Sequence, residues 1–212
     1  MSNFKNVSKL LAMVMAALVM GGCATSQRLS AENKEKIKSA QISQSVEKGE
    51  VFLLAPGGAA AGMMFGAVGG LASSGAVANS QTAFVDYLNK NNISIEKIVE
   101  EEFEKSLRAS GKLTIASAGD NSVPTIKLSV PQYGFGVTHL LSSNVVPVLQ
   151  IKGEMFDGAG KAIWSASDRM LPSIASPMNA TAWTQIANDP KQIEEQLRKA
   201  AKYLTDKLVL EL

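Results

Sequence analysis

Read along the chain, apolar and polar positions fall into stretches of distinct period. Ile95, Ile98, Val99, Phe103 and Leu107 recur at helical spacing, with Glu100, Glu101, Glu102, Glu104 and Lys105 between them. Ser94 precedes the run as a cap and Gly111 follows it as a stop, so the pattern predicts a helix. The Glu100–Glu102 run reads as the solvated face of that helix rather than as an acidic site. Asp189-Pro190-Lys191-Gln192 opens a second helix with a cap, a first-turn proline and a glutamine at the capping-box position. Its buried stripe is expected to be Ile193, Leu197, Ala200, Ala201, Leu204 and Leu208.

Between these helices the period changes to two. Leu113 and Ile115, then Ile126, Leu128 and Val130, alternate with polar residues as half-buried strands do. At Pro131-Gln132 the phase slips, and Tyr133, Phe135 and Val137 carry the apolar face onward, which predicts a bulge. Leu149, Ile151, Gly153 and Met155 alternate up to Asp157-Gly158-Ala159-Gly160, a hairpin turn. Lys161 to Ala166 is expected to pair back, with Trp164 near its middle. Val51 to Leu54 reads as a short buried strand stopped by Pro56 and Gly57. Together the elements predict an α+β fold: a small, mostly antiparallel sheet with two helices packed on it.

Two stretches fit neither period. Residues 24–50 are polar and mixed in charge, from Gln27 through Glu32, Lys34, Glu35, Lys36 and Lys38 to Glu50, and predict a tether, with room for a frayed helix, ahead of the folded body. Residues 51–85 carry no charged side chain, and within them Gly58, Gly62, Gly66 and Gly70 recur every fourth position. On a helix these glycines would form a ridge that lets another backbone approach closely. In water each disfavours the helix by roughly 1 kcal/mol relative to alanine. Such a ridge is useful only where packing against itself, a partner or lipid offsets that loss. Residues 55–79 stay open between a loop or soluble packed helix, an oligomer-packing helix and a membrane-inserted helix.

The N-terminus carries the clearest signal. Lys5 and Lys9 precede an apolar run from Leu10 to Met20, and Gly21-Gly22 lead into Cys23, the single cysteine of the chain. This is the build of a secretory signal peptide. The stretch from Leu10 to Gly22 has 13 residues, short of the about 20 that span a bilayer core. Met20-Gly21-Gly22-Cys23 resembles the bacterial lipobox, with Met20 where Leu is preferred. The resemblance implies that the Cys23 thiol receives a diacylglycerol, that the chain is cut before it, and that the new amino group is acylated. Ala24 stands where Asp would retain a lipoprotein in the inner membrane, which implies the outer membrane. The expected organisation is a signal peptide over 1–22, a lipidated tether over 23–50 and one α+β domain over 51–212 that includes the Gly/Ala-rich residues 55–79.

Composition narrows the function without assigning it. Removing residues 1–22 takes Lys5 and Lys9 from 21 basic residues and leaves 19 against 19 acidic ones. A neutral balance gives no electrostatic reason to expect nucleic acid or anionic lipid as a ligand. With one histidine and the cysteine consumed by lipid, no disulfide, metal site or cofactor is expected. His139 lies near Ser142 and Ser143 in sequence, but no nucleophile-elbow spacing surrounds either serine. The glycines at 57–75 lack the Gly-Lys-Ser/Thr of a phosphate loop, and Asp157, Asp168, Asp189 and Asp206 are scattered. Trp164, Trp183, Tyr133 and Phe135 could line a ligand groove, but aromatic side chains on strands are expected first in the core. No catalytic residue is assigned and no enzyme is expected.

The order of elements over 51–212 resembles that of envelope lipoproteins of the curli-secretion channel type and their exopolysaccharide-export relatives. The resemblance implies a periplasmic body of one sheet and two helices, with protomers assembled into rings at the outer membrane. No motif of that family matches residue by residue, so no site is carried over. The expected function is a non-enzymatic component of an envelope assembly or export system. Its N-terminal lipid would hold it on the periplasmic face of the outer membrane, with further copies of itself or envelope proteins as partners. The alternative is an envelope hydrolase or a module that binds a ligand or inhibitor.

Overall fold

The computed structural model describes residues 26–54, 56, 76–120, 122–139, 141–173 and 176–212. In chain order the elements are α1 (Ala31–Lys36), β1 (Ser39–Ile42), β2 (Glu47–Leu54), α2 (Ala76–Lys90), α3 (Ile95–Ser110) and β3 (Thr114–Ile115). They continue with β4 (Thr125–Val137), β5 (Asn144–Phe156), β6 (Ala162–Met170), β7 (Thr181–Ala182), α4 (Trp183–Ile186) and α5 (Pro190–Leu210). The seven strands form one sheet in the order β3-β1-β4-β5-β6, with β2 also on β4 and β7 on β5. β4, β5 and β6 make an antiparallel meander, while β1 and β2 join β4 in parallel. The fold is α+β, with a mixed and mostly antiparallel sheet.

The strands follow the alternation closely. Ile126, Leu128 and Val130 are buried, the register slips between Ser129 and Gln132, and Tyr133, Phe135 and Val137 are buried beyond the slip. The bulge is therefore where the phase change put it. The Asp157–Gly160 turn closes with the Asp157 N–H on the Lys161 carbonyl at 3.0 Å, and β6 returns with Trp164 opposite Met155. Gly153 is the space for that indole, because a Cβ there would lie 2.8 Å from the Trp164 ring. The indole Nε1 donates to the Glu211 carbonyl at 3.2 Å.

Both expected helices form as read. Ser94 Oγ accepts from the Lys97 N–H at 3.1 Å, and Gly111 ends α3 at φ 63°. Asp189 accepts from the Lys191 and Gln192 N–H groups at the start of α5. All six residues expected in the α5 stripe are buried. α3 and α5 run side by side in the same direction, with Ser106 and Thr205 hydroxyls 3.1 Å apart and Lys112 reaching the Val209 and Leu210 carbonyls. A third long helix, α2, packs against β2 and sets Phe84 edge-on to Phe135, centroids 6.1 Å apart.

The expected tether is corrected by the structure. Within residues 24–50, Ala31–Lys36 form α1, Ser39–Ile42 form β1, and Glu47–Glu50 begin β2. Gln27 already bridges Ser165 on β6, each N–H on the other's carbonyl at 2.7 and 2.9 Å. The reason is chemical. β2 keeps Glu47, Lys48, Gly49 and Glu50 in solvent, so no alternation marks them. β1 buries Gln41, and its amide is fully used: Nε2 donates to Thr125 Oγ1 (2.9 Å) and the Asp120 carbonyl (3.2 Å), and Oε1 accepts from Gly119 N–H (2.8 Å). A buried amide so paired replaces the hydration that its polarity would otherwise demand.

Candidate functional site

Cys23 and the glycines Gly58, Gly62, Gly66 and Gly70 lie outside the described residues. What the structure does place is the point where the N-terminal segment meets the body. Gln27 pairs with the middle of β6, Arg28 Nε binds Glu211 Oε2 at 3.0 Å, and Leu29 enters the core. Beside the pair, a cleft of about 390 Å³ runs between β6 and the end of α5, lined by Ser26, Ala166, Ser167, Asp168, Lys207 and Glu211. Lys207 Nζ crosses its wall to Asp168 Oδ2 at 3.1 Å and lies 4.6 Å from the Tyr203 ring. Tyr203 first, and Asp168 with it, raise the Lys207 pKa, so the ammonium is firmly charged. Because the bridge is antiparallel, Ser26 leaves Gln27 on the side of Asp168 and Arg169. The position of Ser26 against Ala166–Asp168 has the same sense.

The residues considered for reaction chemistry do not converge. His139 is exposed in the β4–β5 turn. Ser142 Oγ serves that turn instead, 3.0 Å from Thr138 Oγ1, accepting from the Asn144 N–H at 2.9 Å and donating to the Asn144 carbonyl at 3.0 Å. Trp164, Trp183, Tyr133 and Phe135 are all buried. Among the described residues no group of His, Cys, Asp and Glu could hold a metal ion.

The Glu100–Glu102 run differs from the solvated face expected. Glu102 has only 6% of its side chain exposed and sits between Lys105 Nζ (2.7 Å) and Arg198 Nη1 (3.1 Å). The same guanidinium binds Glu101 at 2.6 Å and Glu194 at 2.9 Å. Glu194 and then Glu101 push the Arg198 pKa upward, and Arg198 in turn holds the Glu101 carboxyl below its ordinary value. Asp206 is pulled up by burial but held low overall by Lys202 and Ser106. These groups clamp α3 to α5. The periodicity of α3 alone could not show this, because the partner of Glu102 lies 96 residues away.

No family model and no curated relative matches the chain. Solved structures similar to it include a PelC dodecamer from Paraburkholderia phytofirmans, 16% identical, with 89% of this chain and 95% of that chain covered at a TM-score of 0.40. Protein XCC0632 from Xanthomonas campestris is 14% identical over 54% of this chain and 58% of its own, at 0.35. Lipoprotein GNA1162 from Neisseria meningitidis is 18% identical over 63% of this chain and 81% of its own, at 0.25. These values assign neither family nor function.

Proposed function

We propose that the chain is a lipoprotein held on the periplasmic face of the outer membrane by acylated Cys23, and a non-enzymatic component of an envelope assembly or export system. One observation carries the reading: Gln27, four residues after Cys23, is already paired to the sheet. At about 3.3–3.6 Å per residue, four residues reach roughly 14 Å. Lipid on Cys23 would thus hold the folded body directly against the bilayer, and two or three acyl chains make such an anchor stable. The non-enzymatic part is supported by the positions of His139, Ser142 and the aromatic side chains. Its partners are further copies of the chain, through the glycine ridge of residues 58–70, or envelope proteins; nucleic acid is not among them.

The test is Cys23→Ala. The variant should leave the membrane fraction or stay unprocessed, and it should lose incorporation of a fatty-acid probe. Unchanged fractionation and mobility, with no probe on the wild type either, would reject the anchor. Pull-down from gently solubilised envelopes then names the system. Recovery of the chain as a lone monomer from native-level envelopes would count against an assembly role.

A further inference from the structure

Charge stops across the sheet at a single rung. Glu50, Gln132, Gln150 and Arg169 lie opposite one another on β2, β4, β5 and β6. Beyond them come Val51, Tyr133, Leu149 and Met170, then Leu54, Gly136 and Val146, and finally Val145 opposite Thr181. In sequence, residues 51–85, 128–151 and 170–188 contain no Asp, Glu, Lys or Arg. The register brings the end of β2, the β4–β5 turn and the segment after β6 to this same end. A Cβ on Gly136 would lie 2.7 Å from Pro172, which places that third segment across it.

Three of the four exposed large apolar side chains among the described residues sit here, one on each segment: Leu54 (41%), Leu141 (94%) and Leu171 (45%). The helix layer resumes charge with Asp86 on α2 and with Asp189 and Lys191 at the start of α5. A lone exposed leucine is ordinary; three on separate projections, over an end without charge, are not.

The direction of the N-terminal segment selects the occupant. At the antiparallel Gln27–Ser165 bridge, Ser26 leaves Gln27 on the side of Arg169, the last charged rung. The four residues from Gln27 back to Cys23, at about 3.3–3.6 Å each, can span roughly 14 Å, enough to reach that level. We propose that this uncharged end lies in the headgroup and outer acyl region of the bilayer, with Leu54, Leu141 and Leu171 inserted. The proposal rests on the anchored reading for the bilayer it meets. Shallow insertion of this kind leaves loop backbone within reach of interfacial water, as deep insertion would not.

The test uses the full chain purified from membranes and reconstituted in phosphatidylethanolamine–phosphatidylglycerol vesicles that carry a spin-labelled quencher lipid. Leu54→Cys, Leu141→Cys, Leu171→Cys and, at the opposite hairpin, Ala159→Cys each receive an environment-sensitive fluorophore whose position is mapped by mass. Quenching of at least twofold is expected at the first three and none at Ala159→Cys. Mass analysis of the same sample reads acylation of Cys23. Acylated but unquenched protein would overturn the inserted end and leave the anchor standing; quenched but unacylated protein would do the reverse. Labels shielded from aqueous iodide yet untouched by the lipid quencher would mean that a second copy covers this end, and would also overturn the proposal.

Discussion

Gly134 is the position where one methyl group should do most damage. Its φ is +143°, and a Cβ built there falls inside the Phe52 carbonyl oxygen and 2.9 Å from its carbon. Both atoms are backbone, so no rotamer change relieves the overlap. Gly134→Ala must either shift β2 away from β4 or force the β4 backbone to rebuild locally. A side chain in this backbone region is disfavoured by about 1–3 kcal/mol. Two ladder hydrogen bonds of the displaced strand add about 1 kcal/mol each. The expected loss is about 4 kcal/mol, out of the about 5–15 kcal/mol typical of a domain. For a chain of this size that corresponds to a fall in Tm of roughly 8–16 °C. Gly158→Ala is the control, since nothing lies within 4 Å of a Cβ there and its φ is outside the left-handed region. Urea unfolding followed by tryptophan fluorescence would read both variants. A loss below about 1 kcal/mol for Gly134→Ala, with an unchanged m-value, would refute the close approach of β2 and β4.

Arg198→Met should destabilise by about 1–2 kcal/mol, less than the about 3–5 kcal/mol of a fully buried pair, because Lys105 remains on Glu102 and the guanidinium is partly solvated. Glu102→Gln added to it should recover part of the loss in thermal unfolding. Since Arg198 lowers the Glu101 pKa from 4.5, its contribution is complete above that value and disappears as pH falls through the folded pKa; the acid limb of a stability–pH profile should shrink in the variant. Gly62→Leu with Gly66→Leu should separate packed helices if the glycine ridge joins copies, lowering the mass seen by light scattering in detergent while circular dichroism of the body is kept. Equal masses for variant and wild type would reject the packing role.

Where burial follows period, the structure was legible in advance. Ser94, Gly111 and Asp189 bound their helices for reasons written in their own chemistry, and the slip at Pro131-Gln132 marks a real bulge. Edges behaved differently. β2 begins with four exposed residues, and β1 buries a glutamine whose partners come from the 119–125 turn, so both looked like polar linker. The first half of α2 is uncharged and blends into the glycine-rich stretch, which hid the helix. Glu102 looked solvated because its partner on α5 is distant in sequence. The uncharged end was invisible for the same reason: one charge-free run is plain in the chain, but only strand register joins three of them.

The closure of the N-terminal segment also orders events in time. Gln27 waits for Ser165, 138 residues later, and Arg28 waits for Glu211, 183 residues later. Made first, these residues have nothing to hold them at these positions until most of the chain has followed. At about 5–20 residues per second of synthesis, the first wait alone lasts roughly 7–28 s. Through that interval Gln27 and Arg28 lack the partners that hold them in the folded body. Once β6 and the end of α5 arrive, Gln27 and Arg28 dock on them. If Cys23, four residues before Gln27, is acylated as proposed, the long sequence separation of this contact would leave time for that step before the body closes.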